Sequence, residues 1–315
     1  MTLKAFLKLV EIQTKVASVI PFALGTVYTF YRFDTFNIKA FFLMLISMVV
    51  FDMTATAINN YYDYRNAYET KGYGYLMHNA IVKYNLKEST VRITIFVLLA
   101  IAIFFGILLF LNTTILVLLL GVLCFVVGIL YSFGPIPISR TPFGEIFSGL
   151  FMGFIIVFIS VYIHIYDQGV ISWLYDAGIL SVHVNILEAL FIFLLSVPTV
   201  NGIANIMLAN NICDREEDIA NKRYTLAVFV GIQKSLKIFE MLYYIAYIDI
   251  LFLIVIKALP LVAGLALLTI IPIRKNILMF YEKQSKAETF PLAVKNFILL
   301  SVVYVITIGI AVILS

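Results

Sequence analysis

Apolar segments about twenty residues long recur along the whole length of this chain. A helix of that length crosses the roughly 30 Å hydrocarbon core of a lipid bilayer. Of the 315 residues, 63% are hydrophobic and 13% are charged, whereas soluble domains contain about 45–50% apolar and about 25% charged residues. The sequence therefore predicts an all-α membrane protein that crosses the bilayer many times.

Nine segments are predicted to span the membrane as helices. They lie near residues 15–31, 39–60, 93–111, 114–131, 144–166, 187–209, 236–256, 259–273 and 294–314. The break between the seventh and the eighth depends on the sequence KALP at residues 257–260. All nine are expected to belong to a single polytopic domain over residues 1–315.

The lysines and arginines predict the orientation of these helices. Nineteen of the 22, Lys15 among them, flank the spans on the side of the N-terminus, and Arg32, Lys39 and Lys257 flank the other side. Since basic residues are retained on the cytoplasmic side, the N-terminus and the long loops are predicted to be cytoplasmic, in a bacterial cell membrane. The net charge of +4 is ascribed to this topology, and no nucleic-acid partner is inferred.

The second predicted span carries polar side chains that are costly inside a bilayer. Asp52, Thr56, Asn59 and Asp63 follow one another at spacings of four, three and four residues. At 3.6 residues per turn these spacings place all four on one face of a helix. Ionisable residues in a membrane span indicate a functional site.

The sixth predicted span ends in a similar pattern. Asn210, Asp214 and Asp218 lie four residues apart on one face, and Asn201 and Asn205 extend the polar character deeper into the span. The separation between the two Asn-x-x-x-Asp patterns is about half the chain. This suggests two related halves, about 11–143 and 144–315, whose acidic sites face each other.

Carboxylate and amide oxygens at two helix ends form a site for a hard cation such as Mg²⁺, which also binds phosphate oxygens. At a membrane interface such a site suits a lipid with a diphosphate head, whose hydrocarbon tail lies between helices. A charge cluster after a span is also typical of a solvated loop, and Glu216 and Glu217 are assigned to that role. Two clusters at matching register, each with an asparagine one turn earlier, favour the metal site.

At these motifs the sequence resembles a known family. NNYYDYRNAYET (59–70) and NNICDREEDIANKRYTLAV (210–228) are similar to the two aspartate-rich motifs of the UbiA superfamily of intramembrane prenyltransferases. Within it the motifs are most similar to the 1,4-dihydroxy-2-naphthoate polyprenyltransferases of menaquinone biosynthesis. YSFGPIPI (131–138) resembles that branch too. The resemblance implies a UbiA-type bundle of nine helices with cytoplasmic loops capping the active site.

The resemblance also implies roles for individual residues. Mg²⁺ would be held by Asn59, Asp63, Glu69, Asn210, Asp214 and Asp218, of which Asp63, Asp214 and Asp218 are the catalytic carboxylates. The donor diphosphate would be bound by Arg223, Lys222, Lys71 and Arg65. The implied reaction transfers a polyprenyl chain from its diphosphate to the aromatic ring of 1,4-dihydroxy-2-naphthoate, with loss of CO₂, towards demethylmenaquinone.

Four residues depart from the family pattern. Ala67 stands where an aspartate is common in the superfamily, Glu69 where this branch has aspartate, Asn60 for aspartate and Cys213 for arginine. Three alternatives remain at this point: a transferase with another aromatic acceptor, a prenyl-lipid binder without catalysis, and an ion-coupled transporter. The position of the acids at helix ends, flanked by basic residues, disfavours the transporter.

Overall fold

The computed structural model describes residues 1–66, 79–176 and 178–314. Within these residues, nine helices are long and apolar enough to cross a membrane, as predicted. They are α2 (Val16–Phe33, after a 3₁₀ turn Ile12–Lys15), α3 (Ile38–Asn66), α5 (Glu88–Leu111), α6 (Ile115–Ser132), α7 (Gly144–Ser148) continuing through a π-helical segment (Gly149–Ile155) into α8 (Ile156–Ile165), α9 (Ile186–Cys213), α12 (Ile232–Val255), a 3₁₀ segment (Leu261–Thr269) continuing into α13 (Ile270–Glu282), and α14 (Phe290–Leu314).

Shorter helices lie between the spans. They are α1 (Leu3–Leu9), α4 (Ala80–Lys83), a 3₁₀ turn (Ile138–Arg140), α10 (Arg215–Ala220) and α11 (Leu226–Val230). The predicted break at KALP is confirmed, since α12 ends at Val255, Lys257 has a φ of 60° and Pro260 precedes the next helical segment.

A β-hairpin adds to the helical fold that the sequence predicted. Strands β1 (Ile171–Asp176) and β2 (Ile179–Val184) pair antiparallel between α8 and α9. Gly178 takes the left-handed backbone conformation at the turn, with φ of 83°, a conformation that glycine adopts without steric cost. The hairpin joins the N-terminal end of α9, whereas the second motif lies at the C-terminal end of that helix.

Helix α9 lies at the centre of the bundle and packs against α12, α14 and the π-helical segment. The deep polar residues of this span serve this packing: Asn201 Nδ2 donates to the carbonyl of Leu242 at 2.9 Å, and Asn205 Nδ2 to that of Phe239 at 3.0 Å. Hydrogen bonds of this kind stabilise helix pairs in lipid. The outer surfaces of α5 and α12 expose large apolar side chains such as Phe96 and Ile248.

A glycine contact brings the π-helical segment against α9. A Cβ added at Gly153 would lie 2.5 Å from the Cα of Val200, closer than van der Waals contact allows. The Gly153 carbonyl also accepts a hydrogen bond from Thr199 Oγ1 at 3.0 Å. The two backbones can approach this closely because residue 153 has no side chain.

Replacing Gly153 with alanine is expected to lower the free energy of unfolding by about 1–3 kcal/mol, because backbone rather than a flexible side chain must move. Thermal unfolding of the purified protein in detergent measures the change. Gly121→Ala is the matched control, since no described atom lies within 4 Å of a Cβ built there. Equal stability of the two variants would contradict the close contact.

Candidate active site

The first motif lies in the last two turns of α3, inside the helix rather than in the following loop. Asn59 Nδ2 donates to Asp63 Oδ2 at 3.1 Å, and Ser132 Oγ at the end of α6 donates to Asn59 Oδ1 at 2.9 Å. The Asp63 side chain is accessible to solvent. The i, i+4 spacing thus brings the amide and the carboxylate together, as the sequence predicted.

The side chains of Asn60 and Tyr61, next to Asn59 in the sequence, contact other helices instead of Asp63. Asn60 Nδ2 donates to the carbonyl of Leu9 at 3.2 Å, and the buried Tyr61 donates its hydroxyl proton to Glu88 at 3.3 Å. These contacts fix α3 against α1 and α5. The asparagine at position 60 therefore has a structural partner, on a different face of α3 from Asn59.

The second motif lies at the C-terminal end of α9 and binds a lysine from a distant part of the chain. Lys286 Nζ donates to both Asn210 Oδ1 and Asp214 Oδ2. Lys286 belongs to the connection between α13 and α14, and its Nζ lies 5.0 Å from the centre of the Phe290 ring. In the sequence this lysine is one of the basic residues that flank the spans, with no local feature that predicts the contact.

The Asp218 carboxylate binds residues of the loop that follows α10. Its Oδ1 pairs with Arg223 Nε at 3.3 Å, and its Oδ2 accepts a hydrogen bond from Thr225 Oγ1 at 3.1 Å. Burial raises the pKa of the Asp218 carboxyl to about 6, while Arg223 and the hydrogen bond from Thr225 act in the opposite direction. At neutral pH the carboxylate is therefore mostly charged and holds Arg223 in place.

Two loops meet over this end of the bundle. Arg223 donates from Nη2 to the carbonyl of Ser139 at 3.5 Å, and the backbone N–H of Tyr224 donates to the carbonyl of Arg140 at 2.9 Å. The loop between α6 and α7 is thereby joined to the loop after α10. The contact holds Arg223, the partner of Asp218, against the loop that begins after Ser132.

Electrostatics connect the two motifs across the bundle. The positive charges of Arg223, Arg140 and Lys286 all act on the Asp63 carboxylate. Lys286 is hydrogen-bonded to the second motif, and Arg223 is paired with Asp218. Asp63 on α3 is therefore stabilised by the positive charges of Lys286 and Arg223, which bind the second motif.

Glu145 is a further buried acid beside the second motif. It lies in the first turn of α7, is 3% exposed, and accepts a hydrogen bond at Oε1 from Asn211 Nδ2 at 2.9 Å. Its Oε2 has no hydrogen-bond partner among the described residues. Asn211 directly follows a motif residue, so this contact fixes the end of α9 against α7.

Asp52 and Lys15 form a buried ion pair on the deeper side of the first motif. Lys15 Nζ lies 2.6 Å from Asp52 Oδ1, with the side chains 6% and 15% exposed, and also donates to Thr56 Oγ1 at 2.7 Å. Ser18 Oγ donates to Asp52 Oδ2 at 2.6 Å. Lys15 flanks the first span, as counted from the sequence, but its aliphatic chain and ammonium are enclosed between α2 and α3.

The remaining predicted diphosphate ligands differ in position. Arg65 is exposed and lies over the Tyr61 ring at 5.9 Å. Lys222 is exposed in the turn after α10, with φ of 54°. Glu69 and Lys71 lie outside the described residues.

The oxygens of the motifs fit a magnesium ion. Asn210 and Asp214 direct one oxygen each at a single cationic group, the Lys286 ammonium, and so are arranged to hold a cation. The described residues contain no group of three or more histidine, cysteine, aspartate or glutamate side chains that could hold a metal ion. Mg²⁺ uses few carboxylates and completes its octahedron with water and phosphate oxygens, so two Asn–Asp pairs with a diphosphate between them suit it.

The fold and this site define a multi-pass membrane protein with two acidic motifs at one end of its helices. A model of the UbiA prenyltransferase family matches residues 18–304, and the chain belongs to that family. It is 30% identical over 249 residues to the 1,4-dihydroxy-2-naphthoate octaprenyltransferase of Bacillus subtilis (strain 168), an alignment that covers 78% of this chain and 72% of that protein.

Solved structures share the fold. A UbiA homologue from Aeropyrum pernix K1 superposes with a TM-score of 0.69 at 19% identity, covering 96% of this chain and 99% of the homologue. A UbiA homologue from Archaeoglobus fulgidus, solved with GPP and Mg²⁺ bound, gives a TM-score of 0.65 at 15% identity over 99% of this chain and 100% of that one. At these identities the similarity establishes the fold, and the predicted UbiA-type bundle is confirmed.

Proposed function

We propose that this chain transfers a polyprenyl group from its diphosphate to an aromatic quinone precursor, 1,4-dihydroxy-2-naphthoate. The proposal is carried by the two Asn–Asp motifs, Asn59 with Asp63 and Asn210 with Asp214, and by the positive charge of Lys286, which binds the second motif and acts on Asp63. Such a site suits the diphosphate of a lipid substrate. The choice of acceptor is supported by the 30% identity to the Bacillus subtilis enzyme.

The donor head would bind between the two motifs. Asn59, Asp63, Asn210 and Asp214 are the proposed ligands of Mg²⁺, which supplies positive charge to the leaving diphosphate when bound. Glu69, a further ligand by resemblance, lies outside the described residues. Asp218 is proposed to act by holding Arg223, whose guanidinium stabilises negative charge as the diphosphate leaves.

The donor tail requires an apolar surface, and we propose that it lies along α2 and α14. A cavity of about 120 Å³ between them is lined by Val19, Ile20, Ala23, Val302, Val305 and Ile306. The lining is entirely aliphatic, so it offers van der Waals contact to an isoprenoid chain and no hydrogen bonds. The groove begins one helical turn beyond Lys15 in α2.

The proposed chemistry breaks the bond between C1 of the donor and the diphosphate oxygen, whose electron pair leaves with the diphosphate. The ring carbon of the acceptor that bears the carboxylate then forms a bond to C1. The bond from that carbon to the carboxylate breaks, its electron pair returns to the ring, and CO₂ leaves. The allylic cation must be protected from water. Tyr62, which packs on Phe133 at 4.9 Å, lies one residue from Asp63 and can offer its π-face, whereas the buried Tyr61 points away.

The orientation in the membrane is part of the proposal. The end that carries the motifs also carries most of the basic residues, while Arg32, Lys39 and Lys257 lie at the opposite end. This asymmetry supports a cytoplasmic position of the motifs and the N-terminus in a bacterial cell membrane. Water-soluble acceptor and Mg²⁺ would then reach the site from the cytoplasm.

Acceptor choice is tested by competition in one reaction. Purified protein in detergent is supplied with farnesyl diphosphate, Mg²⁺ and equal concentrations of 1,4-dihydroxy-2-naphthoate and 4-hydroxybenzoate. The expected result is prenylated naphthoquinol with release of CO₂ and little prenylated benzoate. Predominant prenylation of the benzoate would retain the aromatic prenyltransferase and overturn the naphthoate assignment.

A further inference from the structure

Lys286 is the one residue at the second motif that comes from the C-terminal part of the described chain. It lies between α13 and α14, and its ammonium group reaches the end of α9, where it donates to Asn210 Oδ1 and Asp214 Oδ2. Its side chain and that of Asp214 are each 23% exposed. The pair is therefore shielded from bulk water without being sealed from it.

The two oxygens that bind this ammonium are the same two that are proposed to bind Mg²⁺. Asn210 offers a single side-chain oxygen, and the Oδ2 of Asp214 is already used by the lysine. Two positive charges at hydrogen-bonding or coordination distance from the same oxygens repel each other strongly. A metal ion at this motif therefore requires the ammonium group to leave.

The Lys286 side chain can move away from Asn210 and Asp214 while remaining within the site. Its positive charge stabilises the carboxylates of both Asp63, in the first motif, and Asp218. A four-carbon side chain on a connecting segment can swing by several ångströms with little cost. The Phe290 ring, 5.0 Å from Nζ, offers a π-face near that path.

We propose that Lys286 is the resident counterion of the second motif in the metal-free protein and exchanges its place there for a contact with the donor diphosphate when Mg²⁺ binds. This inference rests on the proposed function and assigns a positioning residue to it. The lysine keeps Asn210 and Asp214 in place before the metal arrives, and afterwards its ammonium donates to the diphosphate oxygens.

Lys286→Gln tests the exchange through metal binding in the absence of any substrate. Removing the competing charge is expected to tighten Mg²⁺ binding about tenfold, measured by Mn²⁺ binding in electron paramagnetic resonance and by displacement of Mn²⁺ with Mg²⁺. Lys283→Gln is the matched control. Lys283 lies in the same connection, but pairs with the exposed Glu288 at 2.7 Å, and its loss is expected to leave metal affinity unchanged.

A second measurement is the affinity for the prenyl diphosphate donor. With Mg²⁺ at saturation, the affinity of Lys286→Gln for geranyl diphosphate is expected to fall about tenfold, because a charge-assisted hydrogen bond to the diphosphate is lost. The opposite signs of the two effects distinguish exchange from general damage to the site, which would weaken both.

Metal affinity of Lys286→Gln equal to or below that of the wild type would overturn the proposal, and so would an unchanged donor affinity. If Lys286→Gln does not fold, Lys286→Met is measured in its place, and failure of both variants to fold would show a structural lysine and overturn the proposal too. The wild type distinguishes failure of this inference from failure of the proposed function. If the wild type binds Mg²⁺ and transfers the prenyl group, but the Lys286 variants have unchanged affinities for metal and donor, only the exchange of Lys286 is rejected. Absence of both in the wild type rejects the proposed function.

Discussion

Replacing Asp63 with asparagine is expected to lower the kcat of prenyl transfer roughly 100- to 1,000-fold. The substitution keeps the shape of the side chain and its contact with Asn59, but removes the negative charge that faces the cations of the second motif. Loss of one preorganised charge or donor at a site of developing charge costs about that factor. The rate is measured with a radiolabelled diphosphate donor under saturating Mg²⁺, donor and acceptor.

Glu216→Gln is the control for this experiment. Glu216 lies in the same charged run as Asp214 and Asp218, but its side chain is exposed on α10. It also loses one negative charge, so any general effect of charge on metal concentration near the protein is matched. A rate for Asp63→Asn within a few-fold of that for Glu216→Gln would contradict the role given to the first motif.

The second large effect is expected on stability. Lys15→Met should lower the free energy of unfolding by about 3–5 kcal/mol, because it leaves the enclosed Asp52 carboxylate without its counterion. Only the Ser18 hydroxyl would still donate to that carboxylate through a contact seen in the structure. Unfolding of the purified protein in detergent, followed by circular dichroism, measures the change.

Removing both charges should restore most of the lost stability. In Lys15→Met combined with Asp52→Asn, neither member of this pair is charged. Replacing a buried ion pair by neutral groups often changes the free energy of unfolding little. The double variant is therefore expected to be more stable than Lys15→Met alone. A double variant as unstable as the sum of its two single changes would mean that Lys15 and Asp52 act independently, contrary to their contact.

Much of the architecture could be predicted because it follows from local pattern. Twenty apolar residues specify a membrane-crossing helix wherever they occur, so the nine spans required no knowledge of their neighbours. The Asn59–Asp63 contact depends only on four-residue spacing in a helix. Helix ends were less predictable: α3 and α9 continue to Asn66 and Cys213, beyond the apolar stretch, because polar residues near the bundle end keep helical hydrogen bonds.

The contacts of the site that the sequence did not predict are determined by tertiary structure. Lys286 meets Asp214 across 72 residues, and nothing in its local sequence distinguishes it from the basic residues that determine topology. The ion pair of Lys15 with Asp52 was not predicted for the same reason, because a count of basic residues does not separate those in water from one enclosed by helices. The deep residues Asn201 and Asn205 donate to carbonyls of α12, a packing role that the sequence alone did not predict.

The measurement that tests the account most directly is prenyl transfer by the purified wild-type chain. Farnesyl diphosphate and 1,4-dihydroxy-2-naphthoate are supplied with Mg²⁺ or with EDTA, and prenylated product and pyrophosphate are quantified together. The account predicts product and pyrophosphate in equal amounts with Mg²⁺ and neither with EDTA. Absence of Mg²⁺-dependent binding of the diphosphate, with no product under either condition, would contradict it.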